Sequence, residues 1–177
     1  MNRSKKTQQL VIAAVLCAVG ILIPTISPLK IVIEPASFTL ASHVAVFIAM
    51  FISPGVAVGV AVGTALGFLL GGFPMTIVAR AASHFVFAFG GAIFLKKKSD
   101  WMDSAHKTIV FSLVISVVHA ICEVLVVLPF YVSGQGVDGI LYPVFGLVGI
   151  GTIIHSMIDF YIAYFIWHTI KKSTRIP

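Results

Sequence analysis

Long apolar stretches, separated by short polar breaks, occupy most of the chain. A helix needs about 20 mainly apolar residues to cross a bilayer, and these stretches approach or reach that length. The longest is divided at Pro54 and Gly55, because Pro-Gly is a turn signal. We therefore predict an all-α integral membrane protein, a six-helix bundle that forms a single domain over residues 1–177. Its spans are expected at 10–26, 38–52, 54–71, 74–95, 108–132 and 142–170.

The composition supports this class. Hydrophobic residues make up 59% of the 177 residues and charged residues only 10%, whereas a soluble domain carries about 25% charged residues. So few charges cannot coat a water-facing surface, which argues against a soluble enzyme. Cys17 and Cys122 lie in separate apolar stretches, so they predict neither a disulfide framework nor a zinc site.

The positive charge predicts the orientation. The net charge is +6, but nucleic-acid binding would need a continuous basic face, and the basic residues are instead clustered. Cytoplasmic loops are enriched in Lys and Arg, and with six spans all clusters and both termini fall on the cytoplasmic side. The clusters are Arg3, Lys5 and Lys6; Lys96, Lys97, Lys98 and Lys107; and Lys171, Lys172 and Arg175.

Seven ionisable residues lie well inside the predicted spans, away from the span ends. Such residues are costly in a bilayer and usually mark a functional site. Helical rise places the first five in the outer half, where we expect a substrate-binding pocket, and the last two in a deeper polar site. They are His43, Arg80, His84, His119 and Glu123, then His155 and Asp159.

Arg80 indicates the ligand class, because a guanidinium offers a planar fork to a carboxylate or phosphate. The pocket is expected to take a small, partly aromatic anion. A purely structural Arg80–Glu123 pair, in a membrane subunit without a ligand, is the alternative. The outer connection 27–37 is either a short connector or a segment that folds over the cavity.

Small residues mark two helix surfaces. Glycine recurs at every fourth position of the third span, a pattern that lets helix backbones approach closely, and we predict helix packing there. Ala14 and Ala18 form a smaller surface on the first span, for packing within the chain or against another protein. The glycines are Gly55, Gly59, Gly63, Gly67 and Gly71.

The sequence carries no phosphate-binding loop, no HExxH and no GxSxG, which are signatures of ATP hydrolysis, zinc proteolysis and serine hydrolysis. We therefore expect a protein that is not an enzyme, and we assign no cofactor and no metal ligand. Six spans are few for a transporter that works alone, since most have two repeat halves. Partner subunits are expected.

The chain resembles the S components of energy-coupling factor (ECF) transporters, which are their substrate-binding membrane subunits. The resemblance is carried by Ala14-x-x-x-Ala18 and by Ser37-Phe-Thr-Leu-Ala-Ser-His43 with Phe51-Ile-Ser-Pro54 after it. It implies a multi-pass protein of the prokaryotic plasma membrane that captures a vitamin from outside. It also implies docking through Ala14 and Ala18 on a transmembrane coupling protein, with two cytoplasmic ATPase subunits driving uptake.

The resemblance and Arg80 together favour a nicotinate- or pantothenate-like anion, with pyridoxine or hydroxymethylpyrimidine as further candidates. Nickel and cobalt members of the wider family begin Met-His, whereas this chain begins Met1-Asn2. Two alternatives stay open. One is a divalent-metal permease for nickel, cobalt or zinc that uses the histidines. The other is an integral-membrane enzyme with His119/Glu123 or His155/Asp159 as its acid–base pair.

Overall fold

The computed structural model describes residues 3–33, 36–132 and 138–173. Nearly all of these residues are helical. The elements in chain order are α1 (Arg3–Ile26), β1 (Lys30–Ile33), β2 (Ala36–Thr39), α2 (Val44–Ile52), α3 (Pro54–Leu70), α4 (Met75–Lys97), a 3-10 helix (Ser99–Asp103), α5 (Ala105–Val132), α6 (Asp138–Ile140), a π-helix (Leu141–Ile150) and α7 (Gly151–Ser173).

Four helical stretches are long and apolar enough to cross a membrane: Lys5–Ile26, Met75–Lys97, Ala105–Val132 and Leu141–Lys172. The apolar helix α3 is shorter, with 17 residues. Helix α2 has nine residues and spans only about 13 Å, less than half of a hydrocarbon core of about 30 Å. An all-α membrane protein fits this architecture, whereas the count of six spans stays a prediction.

The region predicted as the second span differs most from expectation. Residues 36–39 form a strand and α2 begins only at Val44, because β2 pairs antiparallel with β1. The pairing aligns Lys30 with Thr39 and Ile33 with Ala36. The β-branched residues of β1 favour this extended conformation. Part of the outer connection therefore forms a hairpin, and its Glu34 and Pro35 lie outside the described residues.

Ser53 explains the break between α2 and α3. It ends α2, and its hydroxyl accepts a hydrogen bond from the Val56 N–H at 3.3 Å. Ser is a favoured helix N-cap, and Pro54 occupies the first helical turn, where no donor is needed. The helix therefore begins at the Pro-Gly turn signal.

Helix α3 packs against α1, α2 and α4, and α5 packs against α4, α7 and the π-helix. Helix α1 lies at the periphery, where Leu10 and Leu22 are exposed. Three fully buried rings, Phe47, Phe87 and Phe160, form what we call the aromatic layer, with centroid distances of 5.4 Å from Phe47 to each of the others. The polar groups described below lie next to this layer.

Candidate functional site

A cavity of about 280 Å³ lies beneath the hairpin, between α1, α3, α4 and α5. Small-molecule sites usually measure about 300–1,000 Å³, so this one suits a ligand with a single ring. Its lining is mainly apolar, with polar groups contributed by several elements. Those polar groups are Lys30, Ser37, Thr39, Ser42, His43, Thr64, Arg80, His84 and Glu123.

Glu123 of α5 joins three helices. Arg80 of α4 donates from Nη2 to Glu123 Oε2 at 2.9 Å, and the Thr152 hydroxyl of α7 donates to the same oxygen at 2.6 Å. His84 Nε2 lies 3.3 Å from Oε1. Arg80 and Glu123 are 6% and 1% exposed, so their charges are withdrawn from solvent. Removing one partner of such a pair leaves an uncompensated buried charge.

Arg80 also has an unsatisfied donor. Its Nε is buried and has no hydrogen-bond partner among the described residues. Buried polar atoms are satisfied in more than about 90% of cases, so this guanidinium on the cavity wall keeps a donor that a ligand acceptor or a water can satisfy.

Three histidines surround His43 and make with it a group of four. The ring of His43 lies 4.8 Å from that of His84, 4.7 Å from His119 and 5.0 Å from His155, centroid to centroid. Together with Arg80, Glu123 and Asp159 these histidines form what we call the polar cluster. Edge-on imidazoles present both ring faces and nitrogen atoms, and can therefore stack on a ligand ring or hydrogen-bond to it.

Asp159 of α7 holds the turn that precedes α2. Its Oδ1 accepts the Ala41 N–H at 2.7 Å, and its Oδ2 accepts the His43 N–H at 2.9 Å. His43 Nδ1 lies 3.1 Å from Oδ2. Ala41 has a φ of 68°, a left-handed conformation that is unfavourable for a residue with a Cβ atom. The buried carboxylate stabilises this turn and orients the His43 ring.

The structure brings all seven predicted residues into one cluster. His43, Arg80, His84 and Glu123 line the cavity, and His119 lies directly behind them. The sequence placed His155 and Asp159 in a deeper site. In the structure both contact His43, which precedes α2.

The sequence patterns did not predict Thr152, Ser42 and Ser156 as site residues. Ser42 Oγ lies 3.1 Å from His155 Nε2, and Ser156 Oγ lies 3.1 Å from His119 Nδ1. Residues 152, 155, 156 and 159 share one face of α7, since positions three and four apart are neighbours on a helix. This polar stripe on an apolar helix was the signal that would have revealed Thr152 and Ser156.

The predicted glycine packing surface holds over part of its length. A Cβ at Gly63 would lie 2.6 Å from Cys17 Sγ, and one at Gly67 would overlap Ile21, so α1 packs there. A Cβ at Gly55 or Gly59 would have no neighbour within 4 Å in the described part of the chain. A Cβ at Gly71 would contact the Gly67 carbonyl oxygen and the Phe73 ring, which are close to it along the chain. The Cβ position is therefore open at Gly55 and Gly59, although the Cys17 thiol of α1 lies 3.5 Å from the Gly59 carbonyl oxygen.

The alanine surface lies on the other side of α1. Ala14 and Ala18 are exposed, together with Val11, Val15 and Leu22. These residues are three or four positions apart and form one continuous face. The sequence left open whether this face packs within the chain or against another protein. Among the described residues nothing covers it, so the face is available to another protein or to lipid.

Comparison with known proteins identifies the family. No family model and no solved structure matches the chain. It is 40% identical over 174 residues, which is 97% of the chain and 78% of the other protein, to the niacin transporter NiaX of Lactococcus lactis subsp. cremoris strain MG1363. That similarity, with the apolar helices, makes this a multi-pass protein of the cell membrane. The chain thus belongs to the family of this transporter, the S components of ECF vitamin transporters.

Proposed function

We propose that the chain is a niacin-binding S component, which takes up a nicotinate-like anion in the cavity beneath the hairpin. The relative's function supports this ligand. The observation that carries it is Arg80, a buried guanidinium on the cavity wall whose Nε has no partner among the described residues. A carboxylate satisfies an arginine fork with short charge-assisted hydrogen bonds.

The rest of the cavity suits a pyridine ring. Phe68, Phe73 and Ile77 supply apolar surface, while His43 and His84 offer imidazole edges. The volume of about 280 Å³ favours a single ring over the longer, flexible pantothenate. A divalent cation as the transported substrate is disfavoured because the relative at 40% identity is a niacin transporter.

The test compares nicotinate with its uncharged amide, nicotinamide, in purified protein. Arg80→Gln removes the fork, and we expect nicotinate affinity to fall about 100-fold, within the about 2–5 kcal/mol typical of losing one partner from a buried charged pair. Nicotinamide affinity should fall less than about tenfold, since it carries no charge. Isothermal titration of both ligands measures the difference.

Arg80→Lys is the matched variant, because it keeps the positive charge beside Glu123 but loses the planar fork. An intermediate loss is expected. Equal losses for nicotinate and nicotinamide in both variants would show that Arg80 acts on the fold rather than on the carboxylate, and the anion assignment would then be wrong.

The topology and partners belong to the same proposal. We infer six spans with both termini cytoplasmic, a transmembrane coupling protein as the docking partner and two ATPase subunits as the energy source. A helix lies at or near each predicted span, which supports the count of six spans. Helix α2 is short, and we infer that it crosses only the half of the membrane below the hairpin and the cavity. The basic ends of α4 and α7, at Lys96–Lys97 and Lys171–Lys172, support the orientation.

The exposed alanine face of α1 is the proposed docking surface. Ala18→Trp adds bulk to this face without approaching the cavity. Niacin uptake by cells should be blocked. Niacin binding by the purified chain should stay within about twofold, because Ala18 does not line the cavity; a tenfold loss would require about 1.4 kcal/mol. Val11→Trp, one helical turn before Ala14, is the control that maps the extent of the surface. Loss of binding together with uptake would place Ala18 in the core instead.

A further inference from the structure

We propose that His43, His84, His119 and Glu123 form a resident binding site for one divalent transition-metal ion, in addition to the anion site at Arg80. The sequence alone assigned no metal ligand. This proposal stands on the geometry of the polar cluster and holds whether or not the cavity takes niacin.

The ligand atoms already converge. One nitrogen or oxygen atom from each of the four residues lies within 4.8 Å of the others. His84 Nε2 and His119 Nε2 are each 3.3 Å from Glu123 Oε1. Metal bonds of about 2.0–2.1 Å in a tetrahedral site imply ligand atoms roughly 3.4 Å apart, so small side-chain rotations complete the geometry.

His119 carries the strongest indication. It is fully buried, and its Nε2 has no hydrogen-bond partner among the described residues although Glu123 Oε1 is close. If Nε2 is deprotonated, a lone pair faces a carboxylate; if it is protonated, the 3.3 Å contact with Glu123 Oε1 is long and poorly aligned for a hydrogen bond. A cation between the two atoms satisfies both, and buried polar atoms rarely stay unsatisfied.

Outer contacts orient two of the imidazoles in the manner of metal sites. His43 Nδ1 lies 3.1 Å from Asp159 Oδ2, and His119 Nδ1 lies 3.1 Å from Ser156 Oγ. Both contacts use Nδ1, and the Nε2 of His119 lies 3.3 Å from Glu123 Oε1. Metal-binding histidines almost always engage their second nitrogen with a carboxylate, a backbone carbonyl or water, and Asp159 is such a partner for His43.

The charges and the ligand types define the ion. Glu123 and Asp159 provide two negative charges against one positive charge on Arg80, so a divalent cation enters a site of net negative charge. Glu123 uses Oε2 for Arg80, which leaves Oε1 for the metal. Three imidazoles with one carboxylate favour zinc, nickel, cobalt or copper over magnesium or calcium.

The test uses Co²⁺, whose visible absorption reports tetrahedral nitrogen and oxygen ligands. The full chain in detergent, stripped with a chelator and kept free of niacin, should bind one Co²⁺ per chain with intense visible bands that Zn²⁺ displaces. His119→Gln and His84→Gln should weaken Co²⁺ binding by more than about 100-fold. Ser156→Ala, which removes only an outer contact, should weaken it by about tenfold.

Two controls separate the interpretations. His106→Gln removes an exposed histidine and should leave the spectrum unchanged. Arg80→Gln should keep the Co²⁺ bands while losing nicotinate, so a failure of the niacin proposal is distinguishable from a failure of this one.

No visible bands in the wild-type chain would overturn the proposal. So would bands that His119→Gln and His84→Gln leave intact but His155→Gln abolishes, because the ion would then lie at His43, His155 and Asp159. If a histidine variant loses the bands but also elutes as aggregate, Ser156→Ala is measured in its place. Its expected weakening of Co²⁺ binding by about tenfold tests the same site. An unchanged affinity in Ser156→Ala would then count against the site.

Discussion

The aromatic layer and the polar cluster are adjacent but stabilise the bundle in different ways. Phe87 touches both, with its ring 4.5 Å from that of His119 and 5.4 Å from that of Phe47. In the aromatic layer, the stabilisation is distributed over many weak contacts. In the polar cluster, a few charged hydrogen bonds provide most of the stabilisation, and breaking any one of them leaves a buried group unpaired. The layer therefore closes the bundle beneath the cavity, and the cluster makes the cavity specific.

The largest effect is expected from breaking the central ion pair. Glu123→Leu leaves Arg80 buried without its carboxylate and should lower the free energy of unfolding by about 3–5 kcal/mol. Phe160→Leu in the aromatic layer should lower it by only about 1–2 kcal/mol. Unfolding in detergent, followed by circular dichroism, measures both.

A double variant sharpens the same comparison. Arg80→Leu combined with Glu123→Leu should recover most of the lost stability, because replacing both partners of a buried pair by apolar groups is often neutral. The double variant should still fail to bind nicotinate. If it is no more stable than Glu123→Leu alone, the cluster does not concentrate energy in this pair.

A smaller effect is expected where α1 meets α3. Gly63→Leu overpacks the contact with Cys17 and should lower the free energy of unfolding by about 1–3 kcal/mol. Gly59→Leu is matched in sequence and helix but enters open space, so it should change stability by less than about 0.5 kcal/mol. Equal effects of the two substitutions in the isolated chain would contradict the divided surface seen here.

The smallest effect is expected at the exposed end of the bundle, away from both regions. Asp100 pairs with Lys107, whose hydrogen bond lowers the pKa of the Asp100 carboxyl. A carboxyl whose pKa is lowered in the folded protein stabilises the fold at pH values above its ordinary pKa. This stabilisation is lost as the pH falls through the lowered pKa. Because the pair is solvent-exposed, Asp100→Asn should not change the melting temperature from neutral pH to about pH 5, above the ordinary aspartate pKa of about 3.9. A constant melting-temperature difference over this range, which shrinks only as the pH falls below about 3.9, would show a stronger pair.

Much of the architecture was predictable, because apolar length and the Pro54 turn signal are local properties. The seven ionisable residues were found for the same reason, since each stands out in an apolar stretch. The hairpin was not predicted, because its strands are four residues each and merge into the apolar pattern around them. The position of His155 and Asp159 also depends on how α7 meets the turn before α2, a contact between residues 116 or more positions apart along the chain.

Asp159 has a consequence for what the cavity can recognise. A carboxylate has about four lone-pair positions, and Asp159 directs its two oxygens at the Ala41 and His43 amides, the His43 ring and Ser42. Its accepting capacity is taken up by its own chain, so this acidic residue behaves as part of the backbone scaffold. An incoming molecule therefore meets Arg80, imidazole edges, hydroxyls and Glu123, and of the two acidic residues in the polar cluster only Glu123 is placed on the cavity wall to accept from it.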